Sequence, residues 1–173
     1  MARPYQPSLL RLLHGLMVLL VPLAWFTGLL VYSRYDGRWG RLPLVPAANW
    51  IDIHGSVAVL LWPLAVLFAL YALGPGRARL RRPANALPLL ALALAVGSGK
   101  LMQEDWLRQG ELMQPAYAAH LLAWLALGLA VLGHLASVLL RGGASLARSM
   151  FSATIRPGDR PGDWWRQLRR GLP

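Results

Sequence analysis

From Ala116 to Leu140 the chain reads AYAAHLLAWLALGLAVLGHLASVLL, 25 residues whose apolar run is broken only by Ser137 and two histidines. Such a stretch is long enough to cross a bilayer, which takes about 20 apolar residues. The 14 residues from His120 to His134 span about 21 Å of helix at roughly 1.5 Å per residue. Fourteen steps of about 100° fall about 40° short of four turns, so both imidazoles leave nearly the same face. One helix thus offers two ligands on one side at two depths, as a membrane helix holding two stacked metal cofactors would.

The rest of the chain has the same character. Of its 173 residues 56% are hydrophobic and 14% charged, with a mean hydropathy of +0.42, which marks a polytopic membrane protein. No separate soluble domain is left once the apolar spans are set aside, and no internal repeat is visible. The sequence has no cysteine, which excludes disulfides, iron-sulfur ligation and thioether attachment of a haem. The net charge of +11 comes from arginines in the loops between apolar spans, so it reads as membrane orientation and not as a nucleic-acid surface.

Four spans are expected, at about 12–32, 50–73, 84–100 and 116–140. The first, Leu12 to Tyr32, lacks the short apolar region and A-x-A-like site of a secretory signal, so it is read as a retained helix that Pro22 kinks. Ser33 to Asn49 is a Gly- and Pro-punctuated loop, and GPGRARLRRP from Gly74 to Pro83 holds four arginines. The third span is short and Ala/Leu-rich and ends in Gly97, Ser98, Gly99 and Lys100. Leu101 to Pro115 is the one acidic connection, with Glu104, Asp105 and Glu111. On alternate sides the Lys and Arg residues divide 13 to 5, which predicts that both termini and the second connection are cytoplasmic. Residues 1–141 form the transmembrane domain in this reading. Residues 142–173 form a basic interfacial tail, with Trp164 and Trp165 suited to the lipid boundary.

Alternating direction fixes the depth of each of the four histidines. His14 and His134 lie about six residues inside one face, and His54 and His120 about five residues inside the other. The predicted pairs are therefore His14 with His134 and His54 with His120. Zinc needs three or four ligands converging at one place, whereas two histidines per level suit the two axial positions of a haem iron. Without cysteine, any haem is held non-covalently. Gly15, Gly55 and Gly133 adjoin histidines and could leave room for a porphyrin face. The expected fold class is an all-α membrane protein, a four-transmembrane-helix bundle with two haem sites.

These residues resemble the bacterial cytochrome b561 family, four-helix di-haem b cytochromes related to the b-type subunits of nickel-iron hydrogenases and formate dehydrogenases. The likeness covers essentially the whole chain. It rests on R-x-x-H from Arg11 to His14, the F-T-G-L that follows, His54, the spacing of His120 and His134, and the ending GGASLARSMFSATIRPGDRPGDWW. The resemblance implies two haem b groups in a bacterial inner membrane, passing electrons between a quinone pool and a redox partner protein or small oxidant. It would make the chain a quinone-linked oxidoreductase or the membrane subunit of one.

Haem propionates need cationic or hydrogen-bonding neighbours near the interfaces. Arg11 and Arg141 are candidates at the cytoplasmic face, Arg34 and Lys100 at the other; each also reads as a snorkelling interfacial residue. Lys100, Gln103 and Glu104 are the polar cluster best suited to a quinone headgroup, and Asp52 reads as facing water at its helix end. The competing class is a non-redox membrane protein, an assembly factor or transporter subunit, whose histidines serve packing or proton movement.

Overall fold

Within hydrocarbon the backbone has no water to bond, so an apolar segment crosses as a helix. The computed structural model describes residues 5–171 and is built on that rule, with no strand among the described residues. Its α-helices are α1 (Ser8–Tyr35), α2 (Trp50–Leu73), α3 (Pro83–Lys100), α4 (Glu104–Gln109), α5 (Pro115–Ser149) and α6 (Trp164–Gly171). Three of them, α1, α2 and α5, are long and apolar enough to span a membrane. Prolines open α3 and α5 at the first turn, where their missing N–H would have had no intrahelical partner. Pro22 lies inside α1 without ending it, and the helix continues to Tyr35.

The helices pack as two close pairs, α1 along α2 and α3 along α5, and the pairs meet each other much more sparsely. A seam therefore runs between them. At mid-height it is closed by one cluster drawn from all four helices: Met17 and Val21, Leu61 and Ala65, Ala91 and Leu92, and Leu127. Outward-facing side chains are as apolar as the interior; Leu19 and Leu129, for example, are 70% and 71% exposed. A surface of that kind is stable only against lipid.

Both ends of the bundle are tied by buried carboxylates. Asp36, whose side chain is 1% exposed, accepts hydrogen bonds from Arg38 Nε at 2.9 Å and Tyr117 Oη at 2.7 Å, joining the end of α1 to the start of α5. Burial alone would raise its pKa, but the bonds from Arg38 and Tyr117 outweigh that and hold it below the ordinary carboxylate value. On the same end α4 is fastened to α2 by Arg108, which donates to Asp52 at 2.6 Å and to Asn49 at 3.2 Å.

At the opposite end α5 runs past the expected boundary to Ser149, with a break at Gly143 (φ 60, ψ −168). That left-handed φ costs a glycine little, and beyond it the chain turns back to the start of α1. Asp159 accepts from Ser8 N at 2.7 Å, Tyr5 Oη and Gln167 Nε2, and Trp164 Nε1 donates to Ser8 Oγ at 2.8 Å. Trp164 and Leu168 pack on Leu9, Leu10, Leu13 and Tyr71, while Trp165 stays exposed. The basic C-terminal segment is thus a folded cap on this end. Burial works against the Asp159 charge, yet the bonds from Tyr5, Gln167 and Ser8 prevail and lower its pKa.

Candidate functional site

The four histidines stand in two pairs across the seam. His14 of α1 faces His134 of α5 with ring centres 6.3 Å apart, and His54 of α2 faces His120 of α5 with centres 6.1 Å apart. An imidazole nitrogen lies about 1.2 Å from its ring centre and binds a metal at about 2.0 Å, so two rings sharing one ion on a common axis stand about 6.4 Å apart. A direct N–H···N bond of about 2.9 Å would instead bring the centres to about 5.3 Å. Both observed spacings fit a shared ion better than mutual hydrogen bonding. No group of three or more metal-binding side chains converges among the described residues, so each level offers two ligands.

What the far nitrogen of each ring does decides which nitrogen faces the seam. His120 Nδ1 is 3.0 Å from Ala95 O and 3.2 Å from Ser98 Oγ, and His134 Nδ1 is 3.0 Å from Ala84 O. A carbonyl only accepts, so these rings carry their proton on Nδ1 and leave the Nε2 lone pair free. His54 Nδ1 is 3.0 Å from Thr27 Oγ1. In all three cases the anchor comes from the helix packed against the one that bears the histidine: α3 for His120 and His134, α1 for His54. Metal-ligating histidines are held in this way, the second ring N–H bonded to a fixed acceptor. His14 Nδ1 is buried without a partner among the described residues, and the Phe68 ring stands edge-on to it with centres 6.4 Å apart.

Between the two histidine levels the seam holds an aromatic stack that the sequence reading missed. Trp25 and Trp124 lie 4.7 Å apart with planes 16° from parallel. Each indole donates to the other's backbone carbonyl, at 3.1 Å from Trp25 Nε1 and 2.9 Å from Trp124 Nε1. Tyr32 extends the stack beyond Trp124. The stack needs Gly128, where an added Cβ would come within 2.8 Å of Trp25 Nε1. The available signal was Trp124 one turn beyond His120, and so on nearly the same helix face.

The glycines divide by role. Gly99 is pressed against His120, with a Cβ there reaching 3.1 Å from its Cε1, and Gly28 lies against His54, where a Cβ would meet Cε1 at 3.4 Å. Around Gly15 and Gly133 there is open space, and a Cβ on Gly55 would meet only Glu104, at 3.9 Å. Gly133 lines a groove between α3 and α5 with Ala84, Leu87, Leu90, Leu129 and Arg141.

Of the two cations singled out as cofactor-binding, Arg11 is buried one helical turn from His14. Its terminal nitrogens donate to the carbonyls of Ser152 and Thr154 in the returning segment, and its Nε is buried with no hydrogen-bond partner among the described residues. Lys100 places its ammonium over the Trp62 ring, 4.6 Å from the centre. Asp52 pairs with Arg108, as described, and remains half exposed.

A family model described as prokaryotic cytochrome b561 matches residues 5–153, which takes in all four histidines and helices α1 to α5. No curated protein and no solved structure matches the chain.

Proposed function

The chain belongs to the prokaryotic cytochrome b561 family, and from that premise we propose that it carries electrons across a bacterial membrane through two non-covalent b haems. Each haem, when bound, supplies a one-electron carrier. His14 with His134, and His54 with His120, would hold the two haem irons. The observation that carries the reading is the pair spacing of 6.3 and 6.1 Å together with Nδ1 anchors on three of the four rings. Ala95, Ser98, Ala84 and Thr27 hold the rings in the ligating tautomer, and each haem would be held between the facing rings of its pair. Arg11 Nε, buried one turn from His14 and without a partner among the described residues, is the proposed donor to a propionate at that level, and Lys100 the candidate at the other.

In the same reading α3 is the fourth span. Its 18 residues reach about 27 Å at about 1.5 Å each, against a hydrocarbon core of about 30 Å. Both termini are cytoplasmic by the arginine distribution, so the His14/His134 level is the cytoplasmic one. A quinone meets the chain near Lys100, Gln103 and Glu104, and a redox protein or small oxidant is the other partner. The test is the reduced-minus-oxidised spectrum and pyridine haemochrome of the purified protein. Expected are b-type bands, about two haems per chain, and complete extraction into acid-acetone. A colourless protein would reject the proposal in favour of a non-redox membrane protein.

A further inference from the structure

Thr27 is 4% exposed in the middle of the F-T-G-L run of α1. Its Oγ1 lies 2.9 Å from Leu23 O and 3.1 Å from Ala24 O in its own helix, and 3.0 Å from His54 Nδ1 on α2. A hydroxyl has one proton and two lone pairs. The proton goes back to the helix carbonyls three and four residues earlier, which leaves the oxygen to accept from His54 Nδ1–H. His120 and His134 are held by main-chain carbonyls, to which Ser98 adds a second acceptor for His120. At His54 the partner 3.0 Å from Nδ1 is a side-chain hydroxyl, with the Ala24 carbonyl beside it, so this anchor depends on the residue type at position 27.

We propose that Thr27 is the positioning residue of His54 and that its hydroxyl lowers the reduction potential of the haem at the His54/His120 pair. The inference rests on that pair being a haem site. Two effects follow from the one bond. Geometrically, it fixes the ring plane and the tautomer, so that Nε2 is bare and aimed across the seam. Electronically, an Nδ1–H that donates to a fixed acceptor leaves more electron density on the ring and makes Nε2 the stronger base. Ferric iron gains more from a stronger donor than ferrous iron does, so the oxidised form is favoured; hydrogen bonding to an axial ligand is one of the levers by which a protein sets a haem potential.

The alternative is that Thr27 merely fills space between α1 and α2, and Thr27→Val separates the two because it keeps the branched shape and removes the oxygen. The measurement is a spectroelectrochemical titration of the purified two-haem protein. In Thr27→Val one midpoint potential is expected to rise while the other stays in place. A tenfold change in that haem's reduced-to-oxidised ratio at fixed potential corresponds to about 59 mV for a one-electron couple, and a shift of that order is expected. Thr27→Ser, which keeps the hydroxyl, should retain the wild-type values. Ser98→Ala should shift less than Thr27→Val, since Ala95 O still holds His120. Loss of one haem in Thr27→Val that Thr27→Ser restores would also support the assignment. Unchanged potentials in Thr27→Val with both haems bound would overturn it, as would equal haem loss in the Val and Ser variants. A wild-type protein without haem would instead reject the functional reading and this assignment with it, and the starting spectrum distinguishes that failure from the others.

Discussion

Replacing Gly99 with Ala adds one methyl group where α3 touches His120. The new Cβ would lie 3.1 Å from His120 Cε1 and 3.3 Å from Nδ1, while comfortable carbon contacts begin at about 3.5 Å. The ring must therefore retreat from α3 by about 0.4 Å. Its anchor, Ala95 O at 3.0 Å, is on α3 as well, so the same movement stretches that bond to about 3.4 Å, beyond the usual 2.7–3.2 Å. Ligand positions at a metal are held to about 0.2 Å, and damage to an outer anchor costs about 10–100-fold in affinity. A loss of that size, about 1.4–2.8 kcal/mol, is expected at the His54/His120 site alone. Haem titration into apoprotein would measure it, with His14→Ala as the background that leaves this site as the sole complete pair. In a His54→Ala background, which leaves the His14/His134 pair, Gly99→Ala should change little. Equal affinity with and without the methyl in the first background would refute the contact argument. Equal losses in both backgrounds would show a general packing defect instead.

Further expectations concern the seam and the cap. Gly128→Ala, whose Cβ would come within 2.8 Å of Trp25 Nε1, should break the reciprocal indole bonds and destabilise the protein by about 1–3 kcal/mol, read as a lower melting temperature and altered tryptophan fluorescence. Asp159→Ala removes the acceptor of the Ser8 N–H and the Tyr5 hydroxyl; at about 1.5–3 kcal/mol for a bond to a charged group, cap opening should rise at least about tenfold, seen as faster exchange of the first α1 amides and faster proteolysis around Thr154. The depressed pKa of Asp159 gives the pH dependence its sign: its stabilising contribution is whole above the unfolded carboxylate value of about 3.9 and is lost as pH falls through the lower folded value. Cap protection should therefore be flat from neutral pH down to about pH 5 and decline below about pH 4, and a loss already complete at about pH 6 would point to a different titrating group.

The pairing of the histidines was legible because it follows from two regularities alone: the helical period, which puts His120 and His134 on one face, and the reversal of direction at each span, which matches depths. The rings are found opposite the partners those rules name. Their anchors were not legible. Ala95 and Ala84 act through main-chain carbonyls, which no residue type announces, and which carbonyl is used depends on how α3 lies along α5. Thr27 carried a signal, a hydroxyl within the apolar run 16–31, but its bonding to His54 needs the α1/α2 register. The cap was hidden for another reason. Residues 150–163 have no hydrophobic period, so nothing local indicates that Asp159 folds back onto Ser8, or that Gly143 makes the turn that brings it there. Arg11 was expected near a propionate; its two terminal nitrogens bond to that cap, an interaction visible only once the returning segment is placed.

Two independent haem sites built from these two pairs should show in the haem content of histidine variants. His14→Ala and His134→Ala should each lose about one of two haems, and the double variant should lose little more than either. His14→Ala combined with His120→Ala should lose both, because those residues lie in different pairs. Strong non-additivity within a pair and near-additivity across pairs is the signature of separate sites. If His14 instead proves coupled to His120, or if the His14/His134 double variant is colourless, the two-site account is wrong.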